Sequence, residues 1–133
     1  MPTYYFRGMA YLKKSMNKEA MADFEKALAI SPSGAIALTG FGYANAVTGR
    51  RAEAQKMLDR LNELSKQTHV PAVFMANIYA GLGEKEKAFE WLEKAYDDRS
   101  ILSNGFIKAN PIFDPLRSDP RFANLLRRTN LQP

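Results

Sequence analysis

The chain has 133 residues, 46% hydrophobic and 25% charged, which suits one soluble globular domain large enough to bury a core. It contains no cysteine, which excludes a disulfide framework and thiolate metal sites and suits a reducing compartment. The net charge of +5 is dispersed, with 13 Lys/Arg against 10 Asp/Glu over residues 1–96 and 6 against 4 over residues 97–133, so no basic stripe marks a nucleic-acid reader.

The N-terminus, MPTYYFRGMAYLKK, has no basic n-region followed by an apolar h-region, so it does not read as a signal peptide. No apolar run approaches the ~18 residues of a membrane span. A cytoplasmic protein that keeps away from membranes is therefore expected. Helix formers dominate and β-branched runs are absent, which points to an all-α fold. Apolar spacing and punctuation place helices near 3–14, 18–30, 34–47, 51–65, 71–82 and 85–98. Pro32 should stop the second helix, Ser33 can cap the third, and Pro71 fits the first turn of the fifth. Gly49 and Gly83 can take the positive φ of a tight helix end.

Beyond residue 100 the pattern changes. ILSNGFIKAN could form one short helix weakened by Gly105. NPIFDPLRSDPRF carries Pro111, Pro115 and Pro120, which forbid a continuous helix. Ser118 or Asp119 followed by Pro120 should open a last helix over about 120–129, with Phe122, Leu125 and Leu126 as its apolar stripe.

The helices repeat. Ala20, Ala54 and Ala88 are spaced by 34 residues, as are Phe24, Leu58 and Leu92, and Ala27, Leu61 and Ala95. Gly8, Gly42 and Ala76 align in the preceding helix, followed by Tyr11, Asn45 and Tyr79, and the turns align at Ser15, Gly49 and Gly83. Small residues let two antiparallel helices approach, and bulky ones fill the space between one hairpin and the next. Such hairpins must stack to bury their apolar faces.

These columns resemble the tetratricopeptide repeat, whose pattern is W-x₂-L-G-x₂-Y…A-x₃-F…P. The first unit offers Tyr4, Gly8, Tyr11, Ala20, Phe24 and Pro32, departing at Arg7, where the family prefers Leu. The second offers Leu38, Phe41, Gly42, Ala54 and Leu58, with Asn45 for the Tyr and Lys66 for the Pro. The third offers Met75, Ala76, Tyr79, Ala88 and Leu92, with Ser100 for the Pro. The resemblance implies a single domain over 1–133, an α-solenoid of three hairpins (1–34, 35–68, 69–102) and a C-terminal helical cap over about 103–133. Within it, residues 65–129, and FDPLRSDPRF above all, resemble the C-terminal repeat region of multidomain bacterial signalling proteins. That narrower likeness implies a regulatory or interaction module; no effector domain of those proteins is present here.

In the family, six positions of each unit face a concave groove that binds peptides or helices. Carried over, they are Tyr5, Phe6, Met9, Leu12 and Lys13, then Thr39, Tyr43 and Val47, then Val73, Phe74 and Asn77. The implied function is a non-enzymatic scaffold that binds a protein or peptide by apolar contacts. Tyr5, Met9, Gly40, Val70 and Phe74 occupy the places of a carboxylate clamp and cannot supply its charge, so chaperone C-termini are not the expected ligand.

Nothing reads as chemistry. His69 is the only histidine, the pairs Glu84/Glu86 and Asp97/Asp98 lack calcium-loop spacing, and Gly81 and Gly83 form no phosphate loop. No cofactor or metal is expected. Glu84 and Glu86 suit the dipole at a helix N-terminus, and the Glu and Lys residues of 79–96 read as solvated exterior. Two alternatives to peptide binding remain. One is self-association through residues 1–30: Tyr4, Tyr5, Phe6 and Met9 have no hairpin before them in this sequence, so either a further N-terminal domain or a second copy is expected to cover them. The other is nucleic-acid contact by a basic turn edge of Lys13, Lys14, Lys18, Arg50, Arg51, Lys85 and Lys87, diluted by Glu19, Glu53, Glu84 and Glu86.

Overall fold

The computed structural model of the chain describes residues 2–31, 34–99 and 111–130, and among these the side chains of all but 2, 3, 5, 6, 111 and 130. The described residues form α-helices and one 3-10 segment, without a strand. They fall into two compact units, Met1–Val70 and Pro71–Pro133. Pro32, Ser33 and the expected helix in ILSNGFIKAN lie outside the described residues.

The first unit holds α1 (Pro2–Lys13), α2 (Asn17–Ile30), α3 (Ala35–Val47) and α4 (Arg51–Ser65). α1 pairs with α2 and α3 with α4, while α3 also packs on α2 and α1, so the two hairpins stack. The third helix opens at Ala35 with Gly34 in the capping position. Ala20, Phe24, Ala27, Ala54, Leu58 and Leu61 are all buried, as their columns imply. Between the hairpins, Ala20, Met21, Phe24 and Ala44 form a cluster against which Met9, Tyr11, Leu12 and Phe41 pack. Burying a ring such as that of Phe24 contributes about 2–3 kcal/mol. Gly8 permits it: a Cβ there would stand 2.9 Å from the ring's Cζ.

The second unit holds α5 (Ala72–Leu82), α6 (Lys85–Asp97), the 3-10 segment Pro111–Leu116 and α7 (Pro120–Asn130). α5 and α6 form the third hairpin; the 3-10 segment packs on α5, and α7 on α6. Ala76, Ala88, Leu92 and Ala95 are buried in the hairpin, and Ile112, Phe113, Leu116, Phe122 and Leu125 are buried in the tail. Pro71 stands one residue earlier than expected, as the cap of α5. The Ala72 N–H donates to Asp98 Oδ2 at 2.9 Å, tying the start of α5 to the end of α6.

The three intra-hairpin turns close identically. Met16 N–H donates to Tyr11 O at 2.8 Å, Arg50 to Asn45 O at 2.8 Å and Glu84 to Tyr79 O at 3.1 Å. This bond from the residue after the left-handed position back to the last helical turn is the Schellman closure. Gly49 and Gly83 supply the left-handed residue at φ 85° and 76°, and Ser15 takes the same conformation at φ 60°. The next helix then starts in register, with Ala20, Ala54 and Ala88 donating to Met16, Arg50 and Glu84 carbonyls at 3.0, 3.1 and 2.9 Å.

Candidate functional site

In the first unit the groove positions divide between core and surface. Tyr5 and Phe6 fall outside the described side chains. Met9 and Leu12 are half-buried against the core cluster, and Lys13 is exposed. Thr39 is buried, its hydroxyl donating to Ala35 O at 2.7 Å within its own helix. Tyr43 is half-buried and Val47 is 43% exposed. Ile36, 45% exposed, was not among the expected residues. It lies seven residues before Tyr43 and eleven before Val47, a spacing that returns all three to one face of α3. That spacing was the signal for it. An exposed Ile and Val bracketing a half-buried Tyr give this face of α3 an apolar stripe.

In the second unit Val73 and Asn77 are buried and Phe74 is half-buried on α5. The Asn77 Oδ1 accepts no hydrogen bond among the described residues, nor does the Oδ1 of buried Asn45 in the first unit. Asn45 does use its amide nitrogen, which donates to Phe41 O at 2.8 Å.

Tyr4, expected at a self-association surface, is half-buried, with the Arg7 guanidinium 5.6 Å and the Lys26 ammonium 5.8 Å from its ring centroid. The basic turn residues are all exposed: Lys13, Lys14, Lys18, Arg50 and Arg51 in the first unit, Lys85 and Lys87 in the second.

Glu86 and Glu93 are exposed, as the sequence reading has them, but each is also held by an arginine of α7. Arg121 of α7 donates to both oxygens of Glu86 at 2.7 and 3.1 Å, and stacks 4.3 Å from the Phe89 centroid. One turn-pair further on, Arg128 Nη1 donates to Glu93 Oε1 at 2.8 Å and Nη2 to Oε2, with its guanidinium 4.9 Å from the Tyr96 centroid. Both pairs are separated by 35 residues, so α7 runs in the same direction as α6. Arg121 also bonds the Asp119 carboxylate through Nε at 3.1 Å and Nη2 at 2.9 Å. Its N–H donates to Asp119 Oδ1 at 2.9 Å, which confirms Asp119 as the N-cap ahead of Pro120. Hydrogen bonds from the Arg121 side chain, then from its backbone, pull the Asp119 pKa down from 3.8 to about 2. The Arg121 hydrogen bonds hold Glu86 below its ordinary 4.5. FDPLRSDPRF is thus fastening: its Phe113, Leu116 and Phe122 are buried, and Arg117 pairs with Asp114 at 2.7 Å.

An open cleft of about 430 Å³ beside these pairs is lined by Glu86, Phe89, Glu90, Glu93, Arg121 and Asn124. Its Arg121 and Glu86 are engaged with each other and its Glu93 with Arg128, which leaves these groups in ion pairs rather than poised as acid, base or nucleophile. Among the described residues no group of three or more His, Cys, Asp or Glu could hold a metal ion. His69 is exposed, and no described helix is long and apolar enough to cross a membrane.

Residues 2–101 match the family model described as Tetratricopeptide repeat. No curated protein and no solved structure matches the chain significantly.

Proposed function

The chain belongs to the tetratricopeptide repeat family, and from that membership we propose that it is a non-enzymatic scaffold whose apolar α3 face holds a protein or peptide segment. The observation that supports this reading is the Ile36–Tyr43–Val47 stripe, with Ile36 and Val47 each more than two-fifths exposed. A partner segment laid on it would gain roughly 25 cal/mol for each Å² of apolar surface covered. Met9 and Leu12 of α1, half-buried against the core cluster, and Tyr5 and Phe6 are the groove positions that the first hairpin brings to this reading. In the second unit, taken by itself, the groove positions on α5 are Val73, Phe74 and Asn77, of which Phe74 is half-buried and the other two buried. The likeness of residues 65–129 to repeat regions of bacterial signalling proteins supports a regulatory, cytoplasmic setting for that binding.

The test is affinity capture with the wild-type chain and an Ile36→Ser/Val47→Ser variant, both checked for unchanged melting. Proteins held through this face should be lost from the variant. An identical set of captured proteins would sink the assignment. Running the chain as its own bait separates self-association from binding of a foreign segment, because a mass that rises with concentration appears only in the first case.

A further inference from the structure

The cations of the first unit are unevenly engaged. Arg7 pairs with Asp23 at 2.7 Å, Lys56 with Glu53 at 3.1 Å and Lys66 with Glu63 at 3.0 Å, while Lys26 lies over the Tyr4 ring. Arg51 and Arg60 also have partners. Lys13, Lys14, Lys18 and Arg50, by contrast, enter no ion pair among the described residues. All four are exposed and sit at the two intra-hairpin turns. Because α1 to α4 alternate in direction and the hairpins stack, both turns open at the same end of the unit. Neighbouring helices pack about 8–10 Å apart, close to the Debye length of ~8 Å at physiological salt, so these cations share one field. Met16, in the first of the turns, is 39% exposed among them.

We propose that this end of the first unit is a second docking surface, for an acidic, extended segment of a partner protein. Its carboxylates would answer Lys13, Lys14, Lys18 and Arg50, and an apolar side chain would cover Met16. Two features favour a protein segment over nucleic acid. The residues of the two turns, 14–16 and 48–50, include no aromatic ring on which a base could stack. Glu19 stands exposed beside Lys18, which opposes an evenly charged phosphate backbone, whereas discrete carboxylates can be spaced around it. Glu53, the other acid of these turns, is already held by Lys56.

The experiment is fluorescence anisotropy with the full chain and a labelled peptide of Glu and Asp carrying two leucines, with a short DNA duplex as competitor. The peptide should bind, weaken as salt is raised, and lose roughly ten-fold in affinity for a Lys13→Gln/Lys14→Gln/Lys18→Gln variant. A Lys66→Gln control should bind as wild type, and exchanging the two leucines for serine should weaken binding several-fold. Equal binding by the glutamine variant overturns the proposal, and so does a duplex that binds more tightly and displaces the peptide. Ile36→Ser/Val47→Ser should leave this binding intact, so either surface can fail without the other.

Discussion

Arg7 and Asp23 meet across the first hairpin in a two-pronged pair, Nε to Oδ2 at 2.8 Å and Nη2 to Oδ1 at 2.7 Å. Asp23 is buried, and the Arg7 hydrogen bonds keep its pKa below the ordinary 3.8 even though burial pushes the other way. Arg7→Leu would restore the residue the repeat pattern prefers, yet it strands a buried carboxylate. It should lower the melting temperature by roughly 5–10 °C. An Arg7→Leu/Asp23→Leu double variant should recover most of that loss, as a double-mutant cycle of thermal melts would reveal.

The contact between Gly8 and Phe24 makes a second prediction. A methyl at residue 8 collides with the ring, while the third hairpin places Ala76 and Leu92 in the same two columns. Gly8→Ala should cost about 1–3 kcal/mol by urea denaturation. Adding Phe24→Leu should relieve the overpacking, so that the pair is closer to wild type than the two single losses sum to.

The turns differ in how easily they hold a left-handed residue. Ser15 is left-handed at φ 60° where the other two hairpins use glycine. Ser15→Gly should therefore stabilise the first hairpin by roughly 0.5–1 kcal/mol, and Gly49→Ala should destabilise the second by about 1 kcal/mol. No atom crowds a Cβ at Gly49, so strain in φ is the only source of that cost. Chemical denaturation of both variants checks the pair of signs.

Stability should fall on the acid side. Glu86 and Asp119 titrate below their ordinary values of 4.5 and 3.8, Asp119 near 2. Between those limits the unfolded chain takes up protons that the folded chain refuses, so folding weakens as the pH drops from 4.5 toward about 2. Above that window these two groups contribute a constant amount. Asp23, held low by Arg7, still titrates in a Glu86→Gln/Asp119→Asn variant. Melting temperatures should therefore fall less steeply with acid for that variant rather than lose the dependence, and hydrogen exchange in α7 should quicken for Arg121→Ala. Equal acid sensitivity in the glutamine–asparagine variant would show that the α6–α7 pairs do not govern it.

Much of this architecture was legible because close helix packing forces small and bulky residues into fixed columns. Ala20, Ala54, Ala88, Phe24, Leu58 and Leu92 are buried where the 34-residue period placed them. Asp119 before Pro120 announced the start of α7 through local chemistry alone. The pairs joining α6 to α7 were harder, since their members lie 35 residues apart across an irregular stretch and off the repeat period by one. A shared interval of seven in Glu86/Glu93 and Arg121/Arg128 was the available signal. Arg7–Asp23 hid for a different reason: a charged residue in a leucine column looks like a departure until its partner is located. The groove columns show the limit of assigning faces. They singled out Tyr43 and Val47 on the α3 surface, but a column does not say how deep its members lie, and Thr39, Val73 and Asn77 are buried.

The Schellman bond at each intra-hairpin turn runs from main chain to main chain, 34 residues apart each time. Outside the left-handed position, the lettering of those turns is consequently free to drift: LKKSMN, VTGRR and LGEK fold alike. A block copied whole carries its own joint with it, so an array of this kind can lengthen by duplication and then diverge at its turns. The end where Lys13, Lys14, Lys18 and Arg50 gather is where such divergence costs the fold least.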